Sequence, residues 1–256
     1  MSFNGVFDRY NGVTINSNDE PCAVENFRIQ LVNSLTHWNN EKRRCIWFKV
    51  NIKDAAWVPI LAEEGFNFHH ARDDFVMMYK WLPQDRSANL PPSCHTNLGV
   101  GGLVFNSKNE ILVVMEKHFE HPHWKLPGGY VERGEDIKDA AIREVKEETD
   151  VDTTFESMVT FRHTHKAMFG NSDIYVIVLL KATTDTITKS EIEIKACKWM
   201  PVDEFLSHPE VIDFNKTIVR QALDEKRRNI KLDLQKSTLK LKSFTRDITC
   251  LTIEDL

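Results

Sequence analysis

The stretch "GGYVERGEDIKDAAIREVKEETDV", Gly128 to Val151, decides how the rest of the chain is read. It opens as a loop and continues as a helix from Asp136. At helical spacing Ile137, Ala140, Ala141, Glu144 and Glu148 fall within about 100° of arc, with Glu147 at the edge. A stripe that is apolar at its start therefore becomes carboxylate at its end. Like charges one turn apart cost roughly 0.2 to 0.5 kcal/mol per pair on an exposed helix, and more on a partly buried face. The helix dipole also disfavours negative charge in the last turns. A divalent cation is the simplest agent that reverses the sign of this arrangement, and carboxylate oxygens are hard ligands suited to Mg²⁺ or Mn²⁺. The competing reading is a solvated acidic face with an Arg143 to Glu147 pair.

The residues around the helix shift the balance. Gly128 and Gly129, directly after Pro127, let backbone approach a metal or pyrophosphate without side-chain clash. Asp136 occupies the N-cap position, where its side chain is expected to cap the first turn, with Asp139 three residues on. Gly129, five residues, Glu135, seven residues and then "REVKEE" is a spacing that resembles the Nudix hydrolase box. One position departs, because the box has Gly where this chain has Asp150. That residue ends the helix in a left-handed conformation, which Asp adopts at modest cost.

The resemblance implies roles. Glu144, Glu147 and Glu148 would bind Mg²⁺ or Mn²⁺, the Gly128 carbonyl would add a ligand, and Arg143 would orient Glu135 and the carboxylates. The family also uses an acid before a late strand as base or extra ligand. Glu193 and Glu191 both stand in "KSEIEIKACKWMP", and Glu193 is favoured by its distance to Trp199.

Outward from this segment, "LGVGGLVF" and "ILVVMEK" read as strands joined by "NSKNE". Further strands are expected at "MVTFRH", "DIYVIVLLK" and "KACKWM", and helices at "VDEFLS" and "FNKTIVRQALDEKRR". Pro83, Pro91 and Pro92 make 83–95 a linker. Ahead of it, 1–82 reads as a small α/β domain with a helix at "AVENFRIQLVNSLTHW", a strand at "CIWFKV", a short helix around Pro59 and strands in "FNFHHARDDFVMMYKWL". Residues 96–256 form a mixed α/β domain whose tail alternates weakly.

"CIWFKV", "GFNFHHA", "WLP", "HWKLPGG" and "FRHTHKAMFGNSDIYVIVLLK" extend the resemblance over roughly residues 25 to 205. Together they look like the two-domain Nudix subfamily of the fibroblast growth factor antisense protein and plant ADP-ribose/NADH pyrophosphatases. That implies an α/β fold: a Nudix α/β/α sandwich preceded by a smaller, acetyltransferase-like α/β domain, acting on a nucleoside diphosphate derivative, often as a homodimer. The N-terminal domain is expected to serve dimerisation and substrate framing, because it is rich in large apolar residues such as Trp47, Phe48, Trp57, Phe66 and Phe68.

Arg162 and His165 are candidates for phosphate contact, and Trp124, Phe169 and Tyr175 for stacking a nucleobase. Each has a bland counterpart, a surface charge or a core aromatic. His118, His121 and His123 lack a cysteine or fourth ligand nearby and do not read as zinc ligands.

Composition bounds the remaining classes. The chain has 256 residues, 41% hydrophobic and 28% charged, with a net charge of −5. That balance offers no polycation for gripping nucleic acid, so a small-molecule nucleotide is the expected partner and capped RNA the exception. Five scattered cysteines without a CxxC pair fit a reducing compartment. No stretch approaches a membrane span, and the expected location is cytoplasmic, with the nucleus as alternative. ADP-ribose and NADH lead the substrate expectations. A non-catalytic nucleotide-binding regulator is the competing class.

Overall fold

The computed structural model describes residues 2–242 and 244–253. The chain divides into two units, 1–95 and 96–256.

In the first unit, strands β1 (Val6–Phe7) and β2 (Val13–Asn16) precede helix α1 (Val24–Asn40). Strand β3 (Cys45–Asn51), helix α2 (Trp57–Glu63) and the pair β4 (Asn67–Ala71) and β5 (Phe75–Trp81) complete it. The helix forms where the sequence has apolar residues at turn spacing, burying Phe27, Leu31 and Trp38 on one side. Alternation along β3 sends Ile46, Phe48 and Val50 into the core shared with both helices. There Phe27 stacks on Trp57 at a centroid distance of 4.2 Å. The sheet runs β1-β2-β3-β5-β4. Of the large apolar residues expected to cover a neighbour, Phe48, Trp57 and Phe66 belong to this core, while Phe68 is exposed. Strands β1 and β2 were not expected, because short runs among Gly and Asn carry little strand signal.

The second unit has strands β6 (Thr96–Phe105), β7 (Glu110–Glu116), β8 (Gly128–Tyr130), β9 (Thr153–Thr164), β10 (Ser172–Ala182) and β11 (Ile194–Pro201) in one sheet. The order is β11-β7-β6-β10-β9, with β8 paired to β6, and β6 and β10 run parallel. Helices are α3 (Ile137–Thr149), α4 (Val202–Ser207) and α5 (Asp213–Arg227). Strict alternation sorts the two faces. Val100, Val104, Val176, Val178 and Leu180 pack under Ala140, Ala141 and Val145 of α3. Leu103, Phe105, Ile177 and Leu179 pack under Phe205 of α4 and Ile218, Val219 and Ala222 of α5. This is the α/β/α sandwich. Gly102 lets α3 approach, since a Cβ there would stand 2.7 Å from a Val145 methyl.

The tail, which alternates only weakly, forms a hairpin of β12 (Leu232–Leu241) and β13 (Phe244–Ile253). Among the described residues, no helix is long and apolar enough to cross a membrane.

Candidate active site

Three side chains of α3 face the sheet because Ala140, Ala141 and Val145 recur at helical spacing, and the same periodicity carries Glu148 inward. Glu148 is only 5% exposed. Its Oε2 accepts a 3.0 Å hydrogen bond from the Gly128 N–H. Gly128 sits on β8, threaded between β6 and α3. A Cβ there would lie 2.1 Å from the Val100 carbonyl oxygen, and one on Gly129 would lie 2.6 Å from Glu144 Oε2. Gly128, at φ +152° and against backbone, is therefore required by close approach, whereas a methyl on Gly129 would push the Glu144 carboxylate aside.

Arg143 ties the neighbouring acids together. It donates from Nε and Nη2 to both oxygens of Glu135 at 2.8 and 2.9 Å, a bidentate charge-assisted pair. Its Nη1 donates to Glu144 at 2.8 Å and to Glu147 at 3.1 Å, and Nη2 reaches the Tyr130 carbonyl at 3.0 Å. Glu135 also accepts from the Glu132 N–H at 2.9 Å. Arg143 holds the Glu135 carboxyl below its ordinary range, and in return the guanidinium proton is bound more tightly.

The other two acids respond in the opposite sense. Burial pushes the Glu148 carboxyl up to about 7, against the pull of Lys125 and the Gly128 N–H, and Glu144 and Glu116 add to the rise. Burial also raises Glu144, opposed by Arg143 and assisted by Glu147 and Glu193. Both line an open cavity of about 470 Å³ together with Glu116, Gly128, Gly129 and Glu193. Desolvated acids of one sign facing one cavity make a site of negative potential with too little protein cation to satisfy it.

The donor set is carboxylate oxygen, the type that suits Mg²⁺ or Mn²⁺. Its unsatisfied negative charge fits a cation. In the conformation seen, Arg143 engages Glu144 and Glu147 while the Gly128 N–H engages Glu148. Among the described residues, no three His, Cys, Asp or Glu side chains converge as a metal cluster. Metal binding would therefore require carboxylates to exchange partners.

Of the two late acids, Glu193 lines the cavity, and its carbonyl accepts from the Lys117 N–H at 2.8 Å. Glu191 is exposed and lies 2.5 Å from the Lys189 ammonium. The candidate substrate residues lie outside that lining. The Arg162 guanidinium sits over the Tyr175 ring at 4.9 Å and the Phe214 ring at 5.8 Å, and lies 3.7 Å from Asp173. His165 Nδ1 is 3.0 Å from Ser172 Oγ. Trp124 packs on the core beneath α4 and α5, with the Lys198 ammonium 5.1 Å from its ring centroid. Phe169 is 92% exposed. None of these four lines the carboxylate cavity. Tyr175 lies across glycines of β6, where a Cβ on Gly99 or Gly101 would come within 2.8 or 2.6 Å of it.

The expected cap is corrected by the structure. Asp136 stands at the N-cap but makes no side-chain bond to its own helix. Its carboxylate accepts from Thr249 and pairs with Lys236 of the terminal hairpin. Asp150 takes the left-handed conformation at φ 59° and ψ 12°, as the box position requires.

Sequence reasoning passed over Glu116, Tyr130 and Glu132, which also line the cavity. It missed Lys125 as well, whose ammonium pairs with Glu116. Glu116 ends a buried strand, Glu110–Glu116, and an acid at the end of such a run is the signal that was there to read.

Comparison with known proteins agrees with this geometry. A family model described as NUDIX domain matches residues 95–222, and one described as Nudix hydrolase domain matches 3–82. Nudix hydrolase 8 of Arabidopsis thaliana is 39% identical over 207 residues, covering 80% of this chain and 56% of that protein. Nudix hydrolase 2 of Arabidopsis thaliana is 38% identical over 212 residues, covering 82% of this chain and 76% of that protein. The human nucleoside diphosphate-linked moiety X motif 6 is 33% identical over 227 residues, covering 86% and 71%. The chain thus spans little more than half the length of the first of these relatives.

Proposed function

The chain belongs to the Nudix hydrolase family, and from that membership we propose that it hydrolyses the pyrophosphate bond of a nucleoside diphosphate derivative, with ADP-ribose or NADH as substrate. The observation that carries this reading is the pair of desolvated carboxyls, Glu144 and Glu148, facing one cavity with Glu193.

Glu144, Glu147, Glu148 and the Gly128 carbonyl would hold Mg²⁺ or Mn²⁺. When bound, the metal supplies charge neutralisation at the diphosphate and acidification of water. Arg143 keeps Glu135 ionised and fixes the loop that carries it against the helix. Glu193 is positioned at the cavity wall to take the proton from the water that attacks phosphorus. The bridging P–O bond then breaks, and the leaving phosphate carries away the electron pair. From ADP-ribose the products are AMP and ribose 5-phosphate.

The experiment is a screen of the full chain with ADP-ribose, NADH, FAD, coenzyme A and nucleotide-capped RNA in Mg²⁺ or Mn²⁺, with products identified by mass. Turnover of ADP-ribose or NADH above a Glu148→Gln control supports the reading. Turnover of capped RNA alone would favour decapping. Binding without any product would favour a non-catalytic nucleotide-binding regulator, a reading that Arg143's hold on Glu144 and Glu147 supports.

The exposed apolar residues of the N-terminal unit, such as Phe68, Phe7 and Ile29, support a homodimer as the working form. Light scattering on the full chain tests it, and a monomer mass at micromolar concentration would refute it.

A further inference from the structure

The hairpin of β12 and β13 begins at Leu232, beyond the residues 95–222 matched as a NUDIX domain, and the site described above does not use it. It lies against the start of α3. Leu234 is buried in the same apolar cluster as Ala140, Ala141 and Val145. The Lys138 ammonium donates to the Leu234 carbonyl at 3.2 Å. Lys236 brings its ammonium to 2.6 Å from Asp136 and 3.4 Å from Asp139. The Thr249 hydroxyl donates to Asp136 Oδ1 at 2.6 Å. At the base of the ribbon, the Leu232 N–H donates to Ser157 Oγ on β9 at 3.0 Å. Asp136 has thus given both carboxylate oxygens to the hairpin.

Between Tyr130 and Ile137 the chain is a loop with a cavity on each side. Glu132 faces the carboxylate cavity. Gly134 and Asp136 line a second one of about 440 Å³ with Lys236, Thr238 and Thr249. At Gly134, with φ +81°, an added Cβ would meet nothing within 4 Å, so the loop has no close packing there. Two side-chain anchors hold its far end. Glu135 grips Arg143, and Asp136 grips the hairpin.

We infer that the terminal hairpin is a positioning element for the reaction. Lys236 and Thr249, acting through Asp136, set the loop 131–136, and so the frame in which Glu135 holds Arg143 and Arg143 holds Glu144 and Glu147. The inference rests on the proposed hydrolase reading. Magnitudes separate positioning from plain stability. Lys236 is largely exposed, and an exposed ion pair contributes little to global stability. Displacing catalytic groups by a fraction of an ångström lowers rates far more than it lowers a melting temperature.

The test is the Lys236→Met/Thr249→Val double variant in the full chain, followed by kinetics, melting and hydrogen exchange. The expected result is kcat lower by about tenfold or more with KM within about twofold. The melting temperature should move by no more than about 3 °C. Amides of residues 132–138 should exchange faster, and Lys236→Arg, which keeps the charge, should recover wild-type kcat and exchange. Unchanged kcat, or a loss of activity accounted for by the unfolded fraction, overturns the inference. If the wild-type chain turns over none of the screened substrates, the hydrolase reading fails by itself. Hydrogen exchange then still decides the hairpin's hold on the loop, and unchanged exchange over 132–138 refutes it.

Discussion

Replacing Glu148 by Gln should stabilise the metal-free protein at alkaline pH while removing an acid proposed to serve the reaction. Glu148 is 5% exposed, and burial lifts its carboxyl from an ordinary 4.5 to about 7. Among the described residues, Lys125 and the Gly128 N–H favour its charged form. A rise of that size corresponds to about 3 kcal/mol. The sign follows from proton binding. Below pH 4.5 the group is protonated in both folded and unfolded chains and costs nothing. Between 4.5 and about 7 the folded chain holds the proton longer, so stability falls as pH rises; above about 7 the whole cost is present. Gln has nearly the same volume, and its carbonyl can accept the Gly128 N–H bond without a charge. In thermal melts with chelator, Glu148→Gln and wild type should therefore be close at pH 5 and diverge toward pH 8.5. The C-terminal unit of the variant should then melt roughly 6 to 12 °C higher. Excess Mg²⁺ should narrow the gap, because cation binding stabilises only the folded wild type. A gap independent of pH, or a variant less stable than wild type at pH 8.5, would refute the burial argument for Glu148.

Glu147→Gln, which removes the charge of one Arg143 partner while keeping an acceptor oxygen, should lower turnover about 10² to 10⁴ fold with a melting temperature near wild type; near-normal rates at saturating Mg²⁺ would remove this acid from the reaction. Gly129→Ala puts a methyl 2.6 Å from Glu144 Oε2, so steady-state kinetics should show the Glu144 carboxylate displaced, with activity lost more completely than stability. At Asp150, held at φ 59°, Ala should be less stable than Gly by about 1 kcal/mol in denaturant titrations, since only Gly adopts that conformation freely. Equal stabilities there would mean the helix end relaxes out of the left-handed region.

Much of the fold was legible because it depends on short-range pattern. The strands of the sandwich announce themselves by alternation, as in Ile174 to Leu180, where even residues face α3 and odd ones face α4 and α5. The box helix is legible from its period, and its left-handed end from the position of Asp150. Of the two nearby acids, Glu193, which the spacing to Trp199 favours, lines the cavity, just ahead of a strand whose pairing with β7 shifts register between Ile194 and Ala196. Arg162, His165, Trp124 and Phe169 have suitable chemistry but do not line the carboxylate cavity, a placement that local pattern does not encode. Glu148 could be assigned to the inward side from periodicity, but its raised pKa depends on β8 threading over it and on the distance to Lys125. The hairpin is the clearest case. Its weak alternation conveys little by itself, and Thr249 meets Asp136 across a separation of 113 residues. Local propensity acts over a few residues, so it determined that Asp136 would begin a helix; only the tertiary structure decided that its carboxylate would serve the hairpin instead of the helix.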